Sequence, residues 1–325
     1  MTTTTPTLDL RLTPGHAARA LRRDVLTGLR SEPKWLPPKW FYDARGSELF
    51  EEITRLPEYY PTRAEREILE AQAGVIARRT DARSLVELGS GSSEKTRLLL
   101  SGLRDHGTLT GFVPLDVSES ALRAAVAAIV ADYPGLHVHG VVADFTEPLD
   151  GVPGTSPRLV AFLGGTIGNL LPEERHGFLS SVRSMLDTGE WLLLGTDLVK
   201  DPATLVRAYD DAAGVTAAFN LNVLTVLNRE LGAGFDVAAF EHVALWDADH
   251  EWIEMRLRAT RAMRVEIPAV EIDVHLDEGE EIRTEVSAKF RREGVERELT
   301  AAGFVLDRWW TDQAGRFALS LARAT

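Results

Sequence analysis

Ser84-Leu-Val-Glu-Leu-Gly-Ser-Gly-Ser-Ser93 is the stretch that decides the fold of this chain. An apolar run ends in an acidic residue, a loop with alternate glycines follows, and a helix begins near Glu94-Lys95-Thr96. The order is strand, tight turn, helix. Gly89 and Gly91 let the backbone turn sharply and let a ligand approach the main chain. The loop departs from the dinucleotide fingerprint, which carries a third glycine where Glu94 stands; a carboxylate there repels phosphate. No Gly-Lys-Ser/Thr follows, so a Walker-type phosphate loop is excluded. Glu87-x-Gly-x-Gly suits a ligand that joins an adenosine to a cationic, amino-acid-like tail. Taken by itself, the loop reads equally well as a structural turn.

Outward from this loop, apolar strand-like runs recur at 84–88, 111–115, 137–142, 158–163 and 190–196, with helical stretches at 94–104, 119–132 and 172–186. Such alternation predicts a parallel sheet with helices on both faces. After Asp197 the rhythm stops. Residues 201–232 read as helical, and 240–290 as antiparallel strands, with alternation in Trp252–Ala259 and Arg264–Ile267. A helix at 294–302 and strand-like Phe304–Trp310 and Arg316–Leu321 then return to the first pattern and close the sheet. Upstream, an amphipathic helix is expected at 15–30. Short helices near 46–55 and at 62–78 flank two aromatic, proline-rich loops, Pro33–Asp43 and Leu56–Pro61. The expected division is a disordered Thr/Pro-rich tail at 1–14, a core of 62–200 with 288–325, and a second α+β lobe of 15–61 with 201–287.

The chain has 325 residues, of which 44% are hydrophobic, enough for a sizeable core. A net charge of −13 argues against nucleic acid as the main partner. The absence of cysteine excludes disulfides, thiolate catalysis and zinc–thiolate sites. MTTTTPTLDL has no charged start followed by an apolar core, and no apolar run approaches the roughly 20 residues of a membrane span, so the expected setting is the cytoplasm and not a membrane.

In an open parallel sheet, ligands bind beyond the carboxyl ends of the strands. The second strand ends in Asp116, placed to take both ribose hydroxyls. The third ends in Asp144-Phe145, suited to adenine's exocyclic amine and ring face. Each Asp alone could be a cap or turn residue; both at successive strand ends, after Glu87-x-Gly-x-Gly, point to S-adenosylmethionine. The fourth strand runs into Phe162-Leu-Gly-Gly-Thr-Ile-Gly-Asn-Leu170, a glycine-dense approach with Thr166 and Asn169. A helix N-cap is the other reading of Asn169. The histidines are scattered and offer no metal set. Glu285 and Ser287 share one face of a strand; either both are solvated or both line a pocket.

Several longer motifs resemble one family. Lys39-Trp-Phe-Tyr-Asp43 with Gly46-Ser47, Leu56-Pro-Glu-Tyr-Tyr-Pro-Thr-Arg63, Glu87-Leu-Gly-Ser-Gly91, Gly165-Thr-Ile-Gly-Asn169, Gly195-Thr-Asp-Leu-Val-Lys-Asp201 and Tyr209–Asn220 are similar to the histidine-specific Nα-methyltransferases of ergothioneine biosynthesis. The resemblance covers nearly all the chain beyond residue 15. It implies a class I methyltransferase: a Rossmann-like seven-stranded sheet with the α+β lobe as the substrate-binding insertion. It implies transfer of three methyl groups from S-adenosylmethionine to the α-amine of L-histidine, giving hercynine; the expected assembly state is a monomer. Gly89, Lys95, Asp116, Asp144 and Phe145 would bind the cofactor. Tyr59, Asn169 and Tyr209 would hold the amino-acid head group, and Glu285 and Ser287 the imidazole. Tyr42, Gly164, Thr166, Phe219 and Met255 would line the pocket, with Tyr42 and Asn169 in the catalytic positions. Methylation of another small amino acid or amine, and a non-catalytic adenosine-binding protein, are the alternative readings.

Overall fold

The computed structural model describes residues 6–13, 15–91 and 93–325, and the chain divides into two compact units. Unit 1 holds the described residues of Met1–Thr13, with Pro61–Leu198 and Phe290–Thr325; unit 2 holds those of Pro14–Tyr60, with Val199–Lys289. In chain order the elements begin with β1 (Thr7–Leu10), α1 (His16–Arg30), β2 (Lys34–Trp35), α2 (Ala44–Ile53), α3 (Pro61–Thr80), β3 (Ser84–Leu88) and α4 (Thr96–His106). They continue with β4 (Gly111–Asp116), α5 (Glu119–Asp132), β5 (His137–Val142), β6 (Arg158–Phe162), α6 (Pro172–Met185), β7 (Trp191–Asp197), α7 (Pro202–Tyr209) and α8 (Val215–Leu231). The remainder are β8 (Phe240–Asp247), β9 (Trp252–Ala259), β10 (Met263–Ile267), β11 (Ile272–Leu276), β12 (Glu281–Ala288), α9 (Arg292–Ala301), β13 (Phe304–Thr311) and β14 (Phe317–Ala324). Among the described residues no helix is long and apolar enough to cross a membrane.

Unit 1 is built on an eight-stranded sheet of order β1-β5-β4-β3-β6-β7-β14-β13. Strands from β1 to β7 within it run parallel, and β14 is antiparallel to both its neighbours. Every residue of β3 is buried, as a central strand covered on both faces requires. The chain winds from β3 to β4 and β5 on one side and to β6 and β7 on the other, so the loop after Leu88 stands at a topological switch point.

Seven strands match the expected sheet; the eighth corrects the expected disorder of residues 1–14. Thr7–Leu10 pair in parallel with His139–Val142 of β5. The side chain of Leu8 fills the space left by Gly140, where a Cβ would meet Leu8 Cδ1 at 2.8 Å. Arg11 anchors the end of the strand, donating to the carbonyls of Asp150 at 2.8 Å and Gly151 at 2.6 Å. An open sheet edge supplied backbone partners that the tail's composition did not reveal. Residues 1–5 and 14 lie outside the described residues.

Unit 2 contains a four-stranded sheet, β2-β12-β9-β8, and the hairpin β10-β11. The aromatic, proline-rich loop 33–43 has a structural task here. Phe41 is buried, and its carbonyl lies 1.6 Å from where a Cβ on Gly46 would stand, so the third residue of α2 must lack a side chain. Asp43 caps α2 by accepting from Gly46 N at 2.8 Å, and also accepts from Asn222 Nδ2 at 2.8 Å and Arg229 Nη1 at 2.7 Å on α8. The expected continuous helix over 201–232 is broken into α7 and α8. Gly214 adopts φ +73°, and Asp211 accepts from the backbone of Val215 at 3.0 Å and Thr216 at 2.7 Å. Those two bonds restart the helix at a new N-terminus.

Candidate active site

The glycine loop of unit 1 is tied to the end of β4. Gly89 N and Ser90 N both donate to the carbonyl of Leu115, at 2.8 and 3.1 Å. Gly89 at φ +68° and Gly91 at φ +47° take the left-handed turn that side chains resist. Gly91 N donates to Asp116 Oδ2 at 3.0 Å, and Ser118 N to Oδ1 at 2.9 Å. Each carboxylate oxygen keeps a second lone pair. The Phe145 ring lies 3.7 Å from the Cβ position of Gly89 and packs on Phe162 and Phe178, at centroid distances of 5.2 and 6.0 Å. Gly89, Asp116 and Phe145 are thus brought together. Asp144 takes part in a turn: its Oδ1 accepts from Thr146 N at 2.9 Å and Thr146 Oγ1 at 2.6 Å.

Glu87 is the one carboxyl within β3 and is buried. Burial pushes it up to about 8, against the hydroxyls of Thr96 and Ser93 and the charge of Lys95, while Glu65 adds to the rise. The carboxyl is largely protonated at neutral pH, and the loop is spared a full buried charge. The folded chain therefore holds a proton that the unfolded chain has released, throughout the interval between about 4.5 and about 8. Within it the folded state binds more protons, so stability falls as pH rises and the contribution is gone above the folded value. Glu87→Gln is expected to flatten the decline of Tm between about pH 5 and pH 8. Calorimetry showing the same slope in wild type and variant would place the proton elsewhere.

Glu65 on α3 was not legible as a site residue. It is fully buried and accepts from Gly164 N at 2.8 and 3.0 Å through its two oxygens and from the Lys95 ammonium. A Cβ on Gly195 would stand 2.3 Å from Glu65 Oε1, so a side chain at that point of β7 would displace the Glu65 carboxylate. One carboxylate thus fixes the helix, the loop after β6 and Lys95. The available signal was Glu65 standing one helical turn before Ile68 and Leu69, a charge inside an apolar stripe. Gly164 adopts φ +79°, and its Cβ position lies 3.4 Å from Thr166 Oγ1 and 3.9 Å from Lys95 Nζ, so these three residues are neighbours. Asn169 ends a short 3-10 turn, Thr166–Asn169, and does not cap α6; the N-cap is Leu171, whose N–H donates to Glu174 Oε2 at 2.7 Å.

Unit 2 gathers the aromatic residues singled out in the sequence. Tyr42 packs on Phe50 and Phe219 at 5.5 and 5.4 Å, Phe50 on Tyr59 at 6.1 Å, and Tyr59 on Tyr209 at 6.4 Å. The Tyr42 side chain is partly open to solvent although protein atoms surround it. Burial first, then Glu285 and Tyr209, push the phenol well above its usual range, so Tyr42 stays an O–H group and does not supply a phenolate. Glu285 on β12 stands directly opposite Met255 on β9, and Ser287 opposite Ile253. Glu285 and Ser287 follow the bulge between Arg283 and Glu285, and they share a face with buried Met255.

Sequence reasoning missed two more groups in this unit. Lys289 is buried and bonds the hydroxyls of Tyr209 and Ser287. His242 fixes the backbone of Tyr209, with Nε2 and the Tyr209 carbonyl 2.8 Å apart, while Asn220 Nδ2 lies 2.8 Å from Nδ1. Burial holds His242 below its usual value, and in the neutral ring Nδ1 accepts from Asn220 while Nε2–H donates to Tyr209. Thr284 Oγ1 donates to Asn220 Oδ1 at 2.6 Å, so β12 and the end of α7 are held by one chain of bonds. Among the described residues, no group of three His, Asp or Glu could hold a metal ion.

These residues fit S-adenosylmethionine by their chemistry. Asp116 keeps acceptor capacity for a ribose diol, Phe145 offers a ring face beside the open backbone of Gly89, and Lys95 is a cation close to that loop. The family described as histidine-specific methyltransferase, SAM-dependent, matches residues 21–324. The chain is 58% identical over 311 residues to the histidine N-alpha-methyltransferase of Mycolicibacterium smegmatis, covering 96% of this chain and 97% of that one. It is 58% identical over 308 residues to the histidine N-alpha-methyltransferase of Mycobacterium tuberculosis, covering 95% of each. It is also 33% identical over 205 residues to ergothioneine biosynthesis protein 1 of Neurospora crassa, covering 62% of this chain and 23% of that one. With nearly its whole length matched, this chain belongs to the histidine-specific, S-adenosylmethionine-dependent methyltransferases.

Proposed function

We propose that this chain transfers three methyl groups from S-adenosylmethionine to the α-amine of L-histidine, giving hercynine on the route to ergothioneine. The observation that supports the substrate most directly, beyond membership of the family, is the registered pair Glu285–Met255 beside Ser287 and Tyr209, within a unit rich in aromatic rings. Bound S-adenosylmethionine supplies an electrophilic methyl carbon on a sulfonium. The α-amine attacks as the neutral base, which its pKa of about 8 makes accessible at working pH. Alignment of amine and methyl group then carries most of the rate. The phenol of Tyr42, kept protonated, and the rings of Tyr59 and Phe219 accommodate an amine that loses its N–H groups with each round. The cation that accumulates gains roughly 0.5–2 kcal/mol from ring faces.

In this reading Gly89, Lys95, Asp116, Asp144 and Phe145 hold the cofactor. Tyr59, Asn169 and Tyr209 hold the amino-acid head group, Glu285 and Ser287 the imidazole, and Gly164, Thr166, Phe219 and Met255 the remaining walls. Tyr42 and Asn169 stand next to the reacting amine. A cytoplasmic monomer that binds no nucleic acid completes the proposal, and light scattering on the purified chain checks its mass. The direct test is mass spectrometry of histidine incubated with the chain and S-adenosylmethionine. Singly, doubly and triply methylated histidine are expected in succession; none of them would overturn the assignment.

A head group held by Asn169 and Tyr209 requires the carboxylate. Histidinamide is therefore expected to react at least roughly tenfold more slowly than histidine, the equivalent of one charge-assisted hydrogen bond. Equal kcat/KM values for the two would remove the carboxylate contact.

A further inference from the structure

Glu65 stands in the second turn of α3 and is fully buried. Both of its oxygens accept from Gly164 N, at 2.8 and 3.0 Å, and Oε2 also accepts from the Lys95 ammonium. Glycines make room around this pair: a Cβ on Gly195 would meet Oε1 at 2.3 Å, and one on Gly164 would lie 3.9 Å from Lys95 Nζ. A buried carboxylate is unfavourable unless it is paired and well bonded. Holding one backbone N–H does not require a charge, so the ion pair with Lys95 calls for its own account.

The two partners differ in access. The Lys95 side chain is 21% exposed and that of Glu65 0%. A ligand arriving from solvent therefore meets the ammonium first, with the carboxylate behind it. An ammonium has three donors, and the bond to Glu65 uses one. Lysine's long stem has many rotamers, whose entropy a ligand would otherwise have to remove on binding. Anchored on a buried carboxylate, the ammonium is already in place.

We propose that Glu65 is a positioning residue for the cofactor: it holds the Lys95 ammonium where the carboxylate of the amino-acid tail of S-adenosylmethionine binds. The proposal rests on the reading that Lys95 is a cofactor residue, and the tail carboxylate is the cofactor's one anionic group. The tail also carries an ammonium and is neutral as a whole. Placing the Lys95 charge therefore matters more than leaving it uncompensated. Because the same carboxylate holds Gly164 N, the cofactor tail and the loop after β6 share one point of reference.

The test is calorimetry on the full chain with S-adenosylhomocysteine and 5′-methylthioadenosine. The two share adenosine and a thioether sulfur, but the second lacks the amino-acid tail. Lys95→Met is expected to weaken the first and spare the second. Glu65→Gln keeps the side chain's volume but has no charge and a single acceptor oxygen. It is expected to weaken S-adenosylhomocysteine roughly 10- to 100-fold and to change 5′-methylthioadenosine by only a few-fold. Combined in one chain, the two changes should cost no more than the larger does alone, because both act on one contact. Equal losses for the two ligands, losses that multiply in the double variant, or unchanged affinity of Glu65→Gln for S-adenosylhomocysteine would reduce Glu65 to a structural residue. A second measurement needs no substitution: a crystal structure of the wild type with S-adenosylhomocysteine. The Lys95 ammonium is expected to bond Glu65 and the tail carboxylate together, and a Lys95 turned away from Glu65 overturns the proposal even if Glu65→Gln does not fold. If Lys95→Met itself leaves S-adenosylhomocysteine affinity unchanged, the underlying reading falls, and this proposal with it.

Discussion

Glu285→Ala is expected to cut kcat/KM for histidine by roughly two to three orders of magnitude, about 3–4 kcal/mol of transition-state stabilisation. The cause is local. Glu285 sits half-buried on β12, facing Met255 across the ladder, and offers an ionisable acceptor to a ring N–H. Without it, the imidazole N–H enters a site that no longer pairs it, and an unpaired buried donor costs more than a hydrogen bond gains. Cofactor affinity should be untouched, since the residues proposed to hold the cofactor belong to other elements. A larger apolar residue at 285, with Met255 trimmed to make room, should move preference toward tryptophan and phenylalanine. A site built to bond a polar group discriminates strongly, whereas an apolar one does so weakly. The ratio of kcat/KM for histidine to that for tryptophan is the number to measure. If it stays the same in the Glu285 variants, the imidazole is recognised elsewhere.

Asp116→Ala should weaken S-adenosylmethionine roughly 30- to 300-fold, about 2–3.5 kcal/mol, while leaving histidine binding nearly unchanged. Two losses add. The ribose diol loses a charged acceptor, and the glycine loop loses the bond from Gly91 N to Oδ2 that sets its shape. Asp116→Asn separates them, because an amide retains one acceptor oxygen for the backbone but lacks the charge. An intermediate affinity is expected for it. Calorimetry that returns wild-type cofactor affinity for Asp116→Ala would detach this residue from the cofactor.

What could be read in advance followed from period and punctuation. The strands of unit 1 announce themselves because a parallel strand covered on both faces must be apolar throughout, and because glycines mark the loop after Leu88. The break before α8 was also written in the chain, in Asp211 and Gly214, but helical periodicity on both sides concealed it. β1 could not be read, because its Thr and Pro surroundings resemble a tail until an open edge of β5 is there to receive it. Glu65 and Lys289 escaped for another reason. A charged residue in a sequence reads as surface, and what makes its burial tolerable is a partner far along the chain. Glu65 needs Lys95 and Gly164, and Lys289 needs Tyr209. The motif Lys39–Asp43 stood out in the sequence without disclosing that much of it serves packing: Trp40 Nε1 donates to Asp24 at 3.1 Å, and Asp43 caps a helix.

The order β7-β14-β13 has a consequence for assembly. β14 follows β13 in the chain yet lies between it and β7, so β7 receives its neighbour only after all of Val199–Lys289 has been made. Until then β7, buried along its whole length in the finished sheet, is an uncovered apolar edge open to other chains. The junction offers a remedy. Leu198 and Phe290 form a parallel bridge, and Phe290 N donates to the Asp197 carbonyl at 2.8 Å, so the two ends of the long excursion are fastened side by side. Prior folding of Val199–Lys289 with its earlier partner segment would shorten the effective loop that the β13–β14 hairpin must close. The rate-limiting event in refolding is then expected to be hairpin docking on β7, and chaperone dependence should be greatest in the interval before it.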